Sequence, residues 1–156
     1  MRLDLSMSVP RASKRASRIA AVQMMYQKDV SGMDVENIFY NFVNYYMKES
    51  NEYDDINYRF FKRLVSYFSN SEINFEDLIL KTLPTGKTTY AISAINKSIL
   101  KVAIIEIIFE KTDIPVIINE YVEITKLFSD LKSAKFINAI LDKISKQVER
   151  KCQIKA

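Results

Sequence analysis

INKSILKVAIIEIIF (residues 95–109) holds ten apolar side chains in fifteen positions and neither glycine nor proline. Wound at about 100° per residue, such a run is greasy around most of its circumference, so it belongs in the middle of a folded domain. It is no membrane span, because Lys97, Lys101 and Glu106 interrupt a stretch that would need about 20 mostly apolar residues. Lys97 and Lys101, four apart, mark the one edge expected to reach water. Glu106 falls roughly opposite Lys97 on the wheel, where a carboxylate requires a partner or a helix end. A structural hydrogen bond or ion pair is the expectation there, since the stretch offers no second acid or base to work with it.

Outward from this segment the chain keeps the same period. With 156 residues it has the length of one domain, and two Gly and three Pro are too few for the turns of an all-β fold. The expected architecture is all-α, about seven helices in two small subdomains around the central buried helix. Residues 1–10 read as a flexible lead-in, and residues 11–152 as a single helical domain. Ser13 caps a first helix that stops near Ser31-Gly32, and Asp34 a second through Glu49. A third is expected over Asp54–Ser69 and a short fourth from Asn74 to Leu83. After the central helix, Thr112 or Asp113 opens a helix with Pro115 in its first turn, and a last helix runs from about Ser133 to Cys152. Asn119 and Asn138 stand among apolar residues, which predicts amides bonded between helices.

Composition excludes several chemistries. The chain has no His and one Cys, so His catalysis, His or Cys-cluster metal sites and an internal disulfide are all ruled out. No apolar signal segment follows the N-terminus, which places the expected location in the reducing cytoplasm. PTGKTTY (residues 84–90) imitates a phosphate loop, but Lys81 stands where the first glycine should be and no strand precedes it. It reads as a connector.

Charge is the informative quantity. Residues 1–28 carry Arg2, Arg11, Lys14, Arg15, Arg18 and Lys28 against Asp4 alone, whereas the whole chain is only +4. A basic end on an otherwise near-neutral domain points to a polyanion, with nucleic acid the first candidate. Arg11, Lys14, Arg15 and Arg18 share an arc of roughly 100° on the first helix, whose early turns are expected to project into water while Val22, Met24 and Met25 pack. Tyr26, two turns beyond Arg18, is either packing or a platform for a base. Arg59, Lys62 and Arg63 read as a solvated face.

Three blocks, KRASRIAAVQMMY (residues 14–26), KSILKVAIIEI (97–107) and DIPVIINEYVEITKLF followed by SAKFINAILDK (within 113–143), together resemble the bacterial transcription antitermination factor NusB family. The resemblance spans residues 11–145 and implies an all-α RNA-binding protein without catalysis or cofactor. It implies a short single-stranded leader RNA element, boxA, bound together with a ribosomal small-subunit protein, NusE. Through that pair it implies contact with RNA polymerase and other Nus factors in ribosomal RNA operons. Carried over by position, RNA contacts fall on Lys14, Arg15, Arg18 and Tyr26, and on Lys135 and Phe136 at the start of the last helix. The central helix and the Pro115 helix would face the ribosomal protein. Ser129 and Ala139 stand where the family usually has glycine, and Tyr121 follows Asn119-Glu120 where it has alanine. A helical scaffold with a merely solubilising basic end is the competing reading, and the residues leave homodimerisation open.

Overall fold

The computed structural model describes residues 13–48 and 56–148; the lead-in, Asp54 and Cys152 lie outside them. The chain divides between Asn70 and Ser71 into two compact units. Seven α-helices and one short 3-10 turn make up the described residues, with no strand among them.

The first unit holds α1 (Lys14–Ser31), α2 (Val35–Lys48) and α3 (Tyr58–Asn70). The Ser13 hydroxyl accepts the Ala16 N–H at 3.3 Å, satisfying one of the donors a helix start leaves over. Gly32 ends α1 at φ 74°, a conformation that glycine adopts without a Cβ penalty, and its N–H reaches the Lys28 carbonyl at 2.9 Å. Asp34 opens α2 by accepting from Glu36 N–H at 2.9 Å. α3 starts later than the expected Asp54. The Asn57 side chain takes the Phe60 N–H at 3.1 Å and sets the helix start at Tyr58, while Ile56 makes a parallel bridge to Ser13. Val22, Met24, Met25, Ile38, Phe60, Phe61 and Leu64 are buried. Phe61 gathers Phe39 and Phe42 at ring separations of 5.7 and 5.1 Å. Such contacts add to burial worth about 1.5–3 kcal/mol per large apolar side chain.

The second unit contains α4 (Phe75–Leu80), a 3-10 turn (Thr89–Ala91), α5 (Ala94–Phe109), α6 (Ile114–Phe128) and α7 (Leu131–Gln147). α4 is shorter than expected because the chain tightens at its end, where Thr82 N–H bonds the Ile79 carbonyl at 3.0 Å and its hydroxyl the same oxygen at 2.6 Å. α5 is the buried helix, packed against α6 and α7, with every residue from Val102 to Ile108 buried. Lys97 and Lys101 keep partial access to water, as their spacing predicts. Glu106 is 0% exposed, and the Tyr121 hydroxyl of α6 donates to its Oε2 at 2.7 Å. The residue that replaces the family's alanine is therefore a partner of the buried acid.

Asp113 precedes α6 and Pro115 stands in its first turn. α7 begins two residues before Ser133, since the Asp130 carboxylate accepts Ser133 N–H at 2.7 Å and caps from there. Ser129 has φ −146°, on the negative side open to any residue, so no glycine is needed where the family has one. Asn119 and Asn138 are exposed, contrary to the expected burial between helices. The buried amide is Asn96, on α5.

Candidate nucleic-acid interface

The basic end of α1 is built on a hydroxyl. Ser17 Oγ donates to the carbonyls of Ser13 at 3.1 Å and Asn57 at 3.0 Å, fastening the first turn of α1 to the residue that starts α3. Lys14 and Arg15 are exposed beside that joint. Arg18 is not, at 3% exposure, which corrects the expectation that the early turns of α1 all project into water. Its guanidinium lies 5.2 Å from the centre of the Phe60 ring, with Lys14 Nζ at 5.2 Å and Arg63 at 5.6 Å from the same centre. Each such contact is worth about 0.5–1 kcal/mol at a wet site and more when desolvated. A helical wheel places Arg18 beside Lys14 and Arg15 but knows nothing of an aromatic ring on another helix.

Tyr26 keeps 41% of its surface, so packing does not consume its ring. Exposed aromatics beside basic groups can stack unpaired bases while the cations hold the backbone. Arg11 lies outside the described residues.

The second pair of expected contacts sits in the other unit. Lys135 is exposed on α7, and Phe136 is half-buried in the wall of a groove of about 590 Å³. Lys87, Ser93, Asn96, Lys132 and Ser133 share that wall with Phe136, so the groove opens where α5 and α7 begin. Asn96 Nδ2 donates to Ser133 Oγ at 3.1 Å, while its Oδ1 is buried without a hydrogen-bond partner. At the rim, the backbone N–H and hydroxyl of Ser133 hold the Asp130 carboxyl below its ordinary range. Lys87 and Asn96 do not stand out in sequence, because one lies in a connector and the other within a greasy helix.

Of the two helices expected to face a protein partner, α5 is mostly buried, whereas α6 exposes Val116 at 48% and Leu127 at 58%. No three His, Cys, Asp or Glu side chains stand together for a metal among the described residues. None of the described helices is long and apolar enough to cross a membrane.

Comparison with known proteins agrees with this fold. A family model described as "NusB family" matches residues 15–146. The transcription antitermination protein NusB of Bradyrhizobium diazoefficiens is 32% identical over 143 residues, covering 88% of this chain and 86% of its own. Its counterpart in Clostridium botulinum is 33% identical over 137 residues, covering 86% of this chain and 99% of its own. The solved structure of T. maritima NusB superposes with a TM-score of 0.76 at 26% identity, spanning 94% of this chain and all of that one.

Proposed function

This chain belongs to the NusB family, and on that footing we propose that it is a non-enzymatic antitermination factor binding boxA-type single-stranded leader RNA together with the ribosomal protein NusE. The observation that carries the reading is the outer face of α1, where Lys14 and Arg15 are exposed and Tyr26 presents a ring further along the same helix. The cations hold phosphates and the ring takes a base, a division that suits single strands rather than duplexes. In the second unit Lys135 and Phe136 offer another cation and ring, with an open groove of about 590 Å³ beside Phe136. Arg18, covered by its surroundings, contributes through its place over the Phe60 ring rather than by open contact. The exposed Val116 and Leu127 of α6 offer apolar surface to NusE. No cofactor takes part. The pair then joins RNA polymerase and other Nus factors during cytoplasmic ribosomal RNA transcription.

A titration of labelled boxA RNA and a scrambled strand, at several salt concentrations and with or without NusE, tests this. Binding should be salt-dependent, tighter for boxA, and tighter again with the ribosomal protein. Equal, salt-independent binding of both strands would instead support a helical scaffold with a solubilising basic end.

A further inference from the structure

Arg59, Lys62 and Arg63 are exposed along one arc of α3, about 100° wide at helical spacing. Arg59 and Arg63 are like charges four residues apart on α3, an arrangement that weakens an isolated helix. α3 packs against α1, and the fully buried Phe60 is the joint. Lys14 and Arg18 approach that ring from α1, and Arg63 approaches it from α3. One aromatic ring thus draws together cations of two helices, Lys14 and Arg63 exposed and Arg18 covered. Across those two helices stand Lys14, Arg15, Arg18, Lys28, Arg59, Lys62 and Arg63.

We propose that α3 is a second phosphate-binding helix, with Arg63, Arg59 and Lys62 holding the backbone of a single-stranded RNA beside the basic end of α1. The inference rests on the RNA-binding reading above and adds a strand path across two helices. Guanidinium groups suit the task, since their planar fork matches phosphate oxygens two at a time. Placement of Arg63 over Phe60 limits the rotamers it must give up on binding. Solvated-face patterning hides this in the sequence, because nothing local says that α3 lies against α1.

The test uses the full chain and a boxA-type oligoribonucleotide, measuring the slope of log affinity against log salt. Arg59→Gln/Lys62→Gln/Arg63→Gln should flatten the slope by about 2, at roughly 0.7 per phosphate contact on a single strand. Arg63→Gln alone should flatten it by about 0.7, and Arg63→Lys should restore most of it. Lys111→Gln/Lys126→Gln/Lys146→Gln removes the same charge from the second unit and should leave the slope as in the parent. Thermal melts accompany each variant, and should the triple variant melt early, the single pair decides. A parent slope that survives in the α3 variants overturns the inference while leaving RNA binding by α1 intact; that is the result if Glu49, Glu52, Asp54 and Asp55, which precede α3 in sequence, neutralise it. Equal loss in both triple variants also overturns it, by showing a net-charge effect. A parent without salt-dependent RNA binding removes both this inference and the reading beneath it.

Discussion

Burying Glu106 would be costly were it not for a donor in reach, and the Tyr121 hydroxyl at 2.7 Å is one. Tyr121→Phe keeps the ring and deletes that donor. Leaving a buried polar group without its partner costs about 1–3 kcal/mol, so the variant should lose stability of that order in urea melts. A loss under about 0.3 kcal/mol would mean that the hydroxyl is dispensable to the acid. The need for a partner is legible in the sequence, because Glu106 stands opposite the lysines of a greasy helix. The partner is not, since it lies on another helix and no wheel registers one helix against the next. Arg18 illustrates the same blindness in reverse: its own helix says surface, and only Phe60 of α3 explains its burial.

Helix starts are the more readable elements, since capping is local chemistry. Ser13, Asp34 and Asn74 each take a backbone N–H two or three residues on, at the positions the sequence predicts. Asn57 and Asp130 escape such a reading because other capping residues stand nearby, and which one acts depends on what the preceding chain is tied to. Asp130 and Glu76 give unit two an acid-sensitive component. The Ser133 backbone and hydroxyl hold Asp130 below its usual value; for Glu76 the Thr89 hydroxyl does so, outweighing partial burial and helped by Lys97 at 3.6 Å. Both folded values lie below the unfolded ones. Their stabilisation is therefore present above about pH 4 and is lost as pH falls through the lowered folded values. Asp130→Asn/Glu76→Gln keeps side-chain acceptors but cannot titrate, so its melting temperature should fall less steeply than the parent's between pH 6 and pH 3. Parallel curves would refute the assignment. The buried helix makes a stronger demand: Ile104 is 0% exposed on α5, so Ile104→Ala should cost about 2–5 kcal/mol through lost burial and a residual cavity. A urea-derived loss below about 0.5 kcal/mol, typical of surface sites, would contradict its central place.

For the molecule as a whole, uneven charge along the chain is enough to point to a class of partner, because electrostatic attraction to a polyanion depends on composition and only loosely on geometry. Base recognition depends on where rings stand, which only the fold decides. Tyr26 is open to either use in the sequence; 41% exposure leaves its ring available, while Phe136 is half-buried in a groove wall. Tyr26→Leu therefore separates charge from shape across the proposed RNA-binding surface. Leucine keeps apolar bulk on α1 but removes the wide ring and its hydroxyl. Stacking of a base on an aromatic is worth about 1–3 kcal/mol, roughly 5- to 150-fold in affinity, and does not depend on counterion release. The variant should thus bind boxA RNA more weakly, discriminate less between boxA and a scrambled strand, and keep the parent's salt slope because no charge is lost. Since the parent ring is substantially exposed, its melting temperature should barely move. Fluorescence titrations with both RNAs, paired with thermal melts, provide the check. Parent-like binding with a much earlier melt would make Tyr26 a packing residue, and the stacking surface would then have to be Phe136 and the groove beside it.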